Sequence, residues 1–537
     1  MAFLGFLCYE IRDLGLSPSY VAKIYYTEVE LRYFENCSKM TYDAILISSH
    51  IDYDEEKKPI LTYSQTSSVI PLGMLSIAQH LKNQGFSIRV IHLPSMDREK
   101  TLTDHLRRNI ADVIFIQCHW YLYGEGAVKV AEEYKRLFPE SKIFLGGFHA
   151  TFYAREIMEK YAFIDGVVLG ESEKIAEEIL SKSEGQMDIA EVPGLILRQA
   201  GQTIRVNEQD PNRVLPMEDI PVIELSSALF RELRINDYFY MNISRGRCPS
   251  DCGYCVANNP VFNVRKYQHL PLDIVLNQIE ECKKAGVSEV FMGEIEFLDK
   301  KFIEDVAQAI NDNGIDMSFR LETNPTLFSK STTKKLVSAG FNRFTMGCES
   351  GSDALLKRVG RSTNTNSIFD AVRNITSNGA GVLTSWISNL PTETEEDYNK
   401  TLSAMRKVVE LKGNVHWIEN LHVLPGSKFF DHSEEYGIDP KFKHYEDWFN
   451  WARISKNLVD FKTLRRNPQK YFTHVENGKA MGLMVKRFYY MRKLARQFID
   501  QRIASIETGQ YVNEEIASKE LSELEWYKDE GYKLLLF

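Results

Sequence analysis

Cysteine is scarce in this chain, with eight in 537 residues, too few to staple so long a polypeptide by disulfides. No apolar run is long enough to span a bilayer, so no membrane association is expected. The opening MAFLGFLCYEIRD has neither a basic leader nor a small-residue cleavage site. It therefore does not read as a signal peptide, and a reducing cytoplasm is the expected compartment. Positive charge is not in excess either: 65 Lys and Arg against 74 Asp and Glu leave a formal charge of −9, which disfavours nucleic acid as a partner. The late basic stretches KTLRRNPQK and KRFYYMRKLARQ are balanced by an acidic tail and read as a solvated helical face. No internal repeat and no low-complexity segment is found. With 44% hydrophobic and 26% charged residues, the composition is that of a globular protein with large cores.

Residues 42–180 alternate short apolar runs with amphipathic stretches. DAILISSH, FSIRVIHL, ADVIFIQCH, SKIFLGGF and DGVVLGES read as buried parallel strands, separated by helices such as PLGMLSIAQHLKNQG. That rhythm predicts a doubly wound, Rossmann-like open sheet. Residues 181–237 read as a connector carrying a hairpin, PGLILRQAGQTIRVN. Residues 238–425 hold a second alternating block, whose helices LDIVLNQIEECKKAG and KKFIEDVAQAINDNG end in glycine. This block predicts a partial or complete parallel β/α barrel of the TIM type, with its active site at the strand C-termini. Residues 1–41 form an N-terminal extension, and residues 426–537 are helical and aromatic-rich, expected to cap the barrel mouth.

Three of the eight cysteines are clustered. RGRCPSDCGYCVAN places Cys248, Cys252 and Cys255 in a C-x-x-x-C-x-x-C spacing after the first strand of the second block. Three thiolates suit a soft iron–sulfur cluster, in which a fourth iron keeps an open coordination position for a small molecule. Zinc needs a fourth ligand, and the following run offers only His269.

With an aromatic residue in its C-x-x-x-C-x-aromatic-C frame, this motif resembles the radical S-adenosylmethionine (radical SAM) superfamily over most of residues 239–425. The resemblance implies a [4Fe-4S] cluster on Cys248, Cys252 and Cys255, with Tyr254 near the SAM adenine. FMGE (291–294) stands where the family has Gly-Gly-Glu, implicating Gly293 and Glu294 in SAM binding, with Met292 replacing the first glycine. Glu322 ends the third strand and would face the same mouth. GCESGSD (347–353) resembles the fourth-strand segment and implicates Glu349 and Ser350, while Arg361 would pair with the SAM carboxylate. WISNLPTETEEDY (386–398) resembles the Ile-x-Gly-Leu-Pro-Gly-Glu-Thr pattern, with Ile387 in its first position and Asn389 and Thr392 replacing both glycines.

The first block resembles the cobalamin-binding domain of B12-dependent radical SAM enzymes, on PLGMLSIAQHLKNQGFSIRVI, LGGFHAT and DGVVLGESE. It implies cobalamin contacts from Ser67, Ser68, Gly73, His119, Gly146, Gly147, His149, Gly170, Glu171 and Ser172. Gly146 and Gly147 would allow close backbone approach, and the helix opened by Gly-Glu-Ser would present amides to a polar group. The Asp-x-His-x-x-Gly frame that supplies histidine to cobalt in other B12 proteins is missing from the sequence, so methylcobalamin without a histidine ligand is expected. Trp120, Tyr121 and Tyr123 follow the third strand and are candidates for the same cavity.

The resemblance implies a monomeric, cobalamin-dependent radical SAM methyltransferase acting on an unactivated carbon, or on phosphorus, of a small-molecule or peptide substrate. Flavodoxin or ferredoxin would supply its electrons. Ring rearrangement or oxidative cyclisation with the same cofactors is the alternative chemistry, and a non-catalytic B12 or metal-binding regulator the alternative class. Methylthiotransfer to tRNA is disfavoured because Cys8, Cys37 and Cys118 lie too far apart to form a second triad. The cap aromatics Tyr445, Trp448, Trp451, Tyr489 and Tyr490 are read as pocket wall or as core.

Overall fold

The computed structural model describes residues 41–50, 52–59, 70–183, 189–198, 204–233, 238–293, 299–449, 465, 466, 468, 472–476 and 478–507. Ser67, Ser68, Glu294 and Trp451 lie outside the described residues. The first block forms β1 (Thr41–Ser48), α1 (Leu72–Asn83), β2 (Ile88–His92), β3 (Ile110–Gln117), α2 (Gly124–Leu137), β4 (Lys142–Gly146), β5 (Gly166–Val168) and α3 (Glu173–Ser183). Its strands pair in parallel in the order β2-β1-β3-β4-β5. The strands are apolar throughout because both faces of the sheet are covered: in β1, Ala44 and Leu46 enter one core and Ile45 and Ile47 the other. The order reverses between β1 and β3, and open sheets of this kind form a ligand crevice beyond their strand C-termini at such a reversal.

The hairpin expected in the connector is present as β6 (Leu195–Arg198) and β7 (Ile204–Val206), but it does not stand alone. Strand β6 pairs antiparallel with β5, with Val167 opposite Ile196, and extends the first sheet to seven strands. Alternation within a hairpin carries no mark of the edge it will join.

The second block forms β8 (Tyr238–Met241), α4 (Leu272–Lys284), β9 (Glu289–Met292), α5 (Lys300–Asp312), β10 (Ser318–Thr323), α6 (Lys330–Ser338), β11 (Phe341–Glu349), α7 (Thr365–Ser377), β12 (Gly381–Ser388), α8 (Glu395–Glu410) and β13 (Asn414–Asn420). The six strands pair in parallel in sequence order, so this is a partial barrel with β8 and β13 at its edges. Helix starts are set by side-chain caps: Asp299 accepts from Phe302 N, Ser329 from Thr332 N, and Thr394 forms a capping box with Asp397. Gly286, Gly314 and Gly340 close α4, α5 and α6 at φ +79°, +60° and +90°.

Beyond the barrel, β14 (Ile438–Pro440) pairs with β15 (His474–Glu476), and α9 (Met481–Glu507) follows. Helix α9 packs on β13 and β12, burying Met484, Val485, Phe488, Met491 and Ala495 in the barrel core. It covers the open edge strand, which would otherwise present unpaired backbone. Tyr445 and Trp448 are fully buried in the second core of the first sheet, whereas Tyr489 and Tyr490 are exposed. Among the described residues, no helix is long and apolar enough to cross a membrane.

Candidate functional site

The cysteine loop leaves the barrel just after β8 and is tied at several points. Gly246 turns at φ +99°, where a side chain would collide with the Lys266 backbone. Arg247 N donates to Arg265 O at 3.0 Å, and Cys248 N donates to Ala257 O at 3.1 Å. Gly253 N donates to Val359 O, and Gly253 O accepts from Phe429 N, both at 2.9 Å. A Cβ at Gly253 would enter the Phe429 ring, which explains the glycine between the second and third cysteines. Cys248 and Cys252 are buried, Cys255 is half-buried, and none of the three is in a disulfide. All three line one cavity of about 1750 Å³ between the barrel and the first sheet.

Around the thiols stand Tyr254, Glu322, Glu349 and Arg361, which line the same cavity. Arg361 Nη1 lies 3.8 Å from Cys252 Sγ, and its Nη2 donates to Gly347 O at 2.8 Å. Glu349 ends β11 at φ +62°, just after a register shift against β12. A non-glycine residue held in that region is strained, a state that clusters at functional sites. Burial, with Glu349 nearby, pushes the Glu322 carboxyl up to about 7 despite the Arg320 guanidinium. Burial, reinforced by Glu349, also pushes the Tyr254 hydroxyl well above its ordinary value.

The other end of the cavity lies at the reversal between β1 and β3, where Ser48 Oγ donates to Gln117 Oε1 at 3.1 Å. Gly73, His119, Gly146, Gly147, Gly170, Glu171 and Ser172 line it. Gly147 sits at φ +105°, and a Cβ there would come within 2.8 Å of His119 Cα. A Cβ at Gly73 would meet nothing within 4 Å, so the first turn of α1 faces open space. Burial lowers His119 to about 4, leaving it neutral beside Trp120, Phe148 and Phe262. Trp120 is 47% exposed and lines the cavity.

Four expected residues are placed otherwise. His149 stacks on Tyr445 with ring centroids 4.9 Å apart and is held against the cap aromatics. Ser350 is fully buried, its hydroxyl paired with Thr401 Oγ1 at 3.0 Å. Ile387 packs with Tyr254 against the small core of Leu355, Val359 and Phe429. Gly293 donates its N–H to Met241 O at 3.3 Å, and the Tyr240 ring occupies the space a Cβ would need. Glu171, although at the cavity wall, is bound by Arg265 Nε at 2.7 and 2.9 Å. Other residues of the cavity wall that the motifs do not single out include Arg245, Glu173, Phe262 and Trp417. Arg245 and Glu173 carried a signal, since one directly precedes the cysteine loop and the other follows the Gly-Glu-Ser turn.

A doubly wound sheet and a partial parallel barrel thus share one cavity, with three thiols at the barrel end. Residues 60–180 match the B12 binding domain and residues 242–405 match the radical SAM superfamily. The chain thus pairs a match to the B12 binding domain with a following match to the radical SAM superfamily. It is 24% identical over 287 residues to the uncharacterized methyltransferase PH0819 of Pyrococcus horikoshii, covering 52% of this chain and 61% of that protein. The chain therefore spans about six-tenths of that relative's length. The fold is shared with the radical S-adenosylmethionine methyltransferase TsrM of Kitasatospora setae, solved with cobalamin and a [4Fe-4S] cluster (TM-score 0.59, 16% identity, 75% of this chain and 78% of that one). It is also shared with the cobalamin-dependent S-adenosylmethionine radical enzyme OxsB, solved with aqua-cobalamin and S-adenosylmethionine (TM-score 0.60, 15% identity, 93% of this chain and 77% of that one).

Proposed function

We propose that this protein is a cobalamin-dependent radical SAM methyltransferase that methylates an unactivated carbon, or phosphorus, of a small molecule or peptide. One observation carries the reading: the cysteine loop and the crevice of the first sheet open into a single cavity of about 1750 Å³. Two large cofactors can therefore meet one substrate without leaving the protein.

The residues present fit both groups. Among the described residues, no three His, Cys, Asp or Glu side chains converge as a single metal ion requires. In a [4Fe-4S] cluster each thiolate binds a different iron, and Cys248, Cys252 and Cys255, which line one cavity, are the three candidate ligands. On the other side, Gly73 and Gly146 leave a cradle without side chains at the sheet crevice, and Gly147 lets its backbone pass close to His119. Held by Cys248, Cys252 and Cys255, a cluster would supply the electron for SAM cleavage, and cobalamin in the crevice would supply the methyl group.

The chain's own groups bind, orient and exclude water. Glu322 and Glu349 are carboxyls at the ends of adjacent strands on the cavity wall and would contact polar groups of SAM, Glu349 from a left-handed backbone position. Arg361 sits beside Cys252 and would pair with the SAM carboxylate. Tyr254 would pack on the adenine. Glu294, in the remaining acidic position of the motif, is assigned to the SAM amino group by resemblance alone. Neutral His119 and the aromatic rings around it keep the crevice side apolar.

The test is anaerobic incubation of cluster- and cobalamin-loaded protein with SAM and titanium(III) citrate, read for 5′-deoxyadenosine and S-adenosylhomocysteine. Both nucleosides are expected. 5′-Deoxyadenosine without S-adenosylhomocysteine favours rearrangement or cyclisation, and neither overturns the enzymatic reading.

A further inference from the structure

The cysteine loop is bracketed by two arginines, Arg245 before Cys248 and Arg265 after Cys255. Both reach the turn that opens α3 of the first sheet. Arg245 Nη1 donates to Glu173 Oε1 at 2.7 Å, and its Nη2 donates to Ser76 Oγ of α1 at 3.0 Å. Ser76 Oγ in turn donates to Glu173 Oε1 at 2.7 Å. Arg265 Nε donates to both oxygens of Glu171, and its Nη2 donates to Leu215 O at 2.6 Å. A second bridge runs from Arg245 Nη1 to Glu171 Oε2 at 3.6 Å. The Arg265 and Glu173 side chains are only 5% and 6% exposed, so this is a buried network rather than a rim contact.

The backbones also meet at this point. Gly170, at φ +66°, lies so near Phe262 that a Cβ would fall 2.7 Å from the Phe262 carbonyl oxygen. A buried ion pair adds little net stability over an apolar replacement of similar volume, because desolvation offsets the attraction. Its strict donor geometry does fix one element against another. Here the fixed elements are the loop that would carry the cluster and the turn that walls the cobalamin crevice.

We infer that Arg245–Glu173 and Arg265–Glu171 form a clamp that sets the separation and tilt between the two cofactor sites, making these four side chains positioning residues. The inference rests on the function proposed above. SAM cleavage needs only the barrel end of the cavity, whereas transfer of the SAM methyl to reduced cobalamin, releasing S-adenosylhomocysteine, needs both ends in register. Loosening the clamp should therefore separate the two products.

The experiment compares wild type with Arg245→Met and Glu173→Gln, with titanium(III) citrate as reductant and SAM as the only organic substrate. Both variants should keep wild-type iron, corrinoid and 5′-deoxyadenosine formation. S-Adenosylhomocysteine formation should fall by roughly a hundredfold, the scale of an ångström misplacement. In the protein free of cofactors, hydrogen exchange over 170–176 and 244–248 should rise in Arg245→Met and recover toward wild type in Arg245→Lys, which restores a cation to Glu173. Parallel loss of both nucleosides, or unchanged exchange in both segments, overturns the clamp. If wild type yields neither nucleoside, the proposed function fails, and hydrogen exchange alone decides whether the clamp exists.

Discussion

Glu322→Gln should stabilise the cofactor-free protein while weakening its hold on SAM. The carboxyl stands at the end of β10 facing the cavity, and burial raises it from 4.5 to about 7, with Glu349 adding to the effect and Arg320 opposing it. A carboxyl that holds its proton more tightly when folded opposes folding once ionised. The penalty is therefore full above about 7, shrinks as pH falls toward 4.5, and is gone below that. The difference between 4.5 and about 7 corresponds to about 3 kcal/mol. Glutamine keeps the shape and removes the charge, so the variant should exceed wild type by up to about 3 kcal/mol at alkaline pH and match it in acid. Glu393 and Glu419 are also raised to about 7, so wild type alone would show a composite pH profile, whereas the difference between the two proteins isolates Glu322. Urea unfolding of the cofactor-free protein, with linear extrapolation, measures the stability arm. In cluster-loaded protein, losing a charge-assisted hydrogen bond worth about 1.5–3 kcal/mol should weaken SAM binding by roughly ten- to a hundredfold, read by calorimetric titration. A variant no more stable than wild type above neutrality, with unchanged SAM affinity, would refute the placement of this carboxyl.

Cys252→Ala should abolish cluster binding, leaving iron and sulfide content at background and no 5′-deoxyadenosine from SAM, while circular dichroism stays that of wild type. Gly147→Ala should cost roughly 1–3 kcal/mol, since φ +105° with ψ 178° is accessible in practice only to glycine, and should weaken corrinoid retention on gel filtration. Arg487→Met strands Glu393, whose partner it is at 3.0 Å in a buried setting. It should cost about 3–5 kcal/mol at alkaline pH, measured by denaturation, and less in acid, where the raised carboxyl takes up a proton.

The order of elements was legible because each block has one dominant period. Five apolar runs between amphipathic stretches could be placed as strands without knowing their neighbours, and glycine after a periodic stretch marked helix ends such as Gly286 and Gly314. Edge assignments were not legible. Nothing in LILR announces that it pairs with Gly166–Val168, and nothing in the long basic helix announces that its apolar side covers β13. The cysteine loop was readable from spacing alone because its residues are consecutive in sequence. The clamp was not: Arg245 and Glu173 are 72 positions apart, and only the folded chain brings them to 2.7 Å.

Asn389 and Thr392 show how far a departure from a motif matters. Where the family pattern has two glycines, these residues adopt φ +62° and +63°, so the backbone keeps the conformation that glycine would permit. Asparagine tolerates that region, but a β-branched threonine is strained there. Each side chain makes contacts that glycine could not. Asn389 Nδ2 donates to Asn420 Oδ1 at 2.8 Å and to Met484 O of α9 at 3.0 Å. Thr392 Oγ1 accepts from Arg358 Nε at 3.0 Å, while its N–H donates to Glu476 Oε1 of β15 at 3.0 Å. In this chain the turn after β12 is thus also an anchor for the C-terminal segment. The Asn389 side chain fastens α9 over the edge of the barrel, and the Thr392 backbone N–H ties the same turn to β15. A motif scored residue by residue counts them as two losses, yet both positions keep the left-handed backbone that glycine favours.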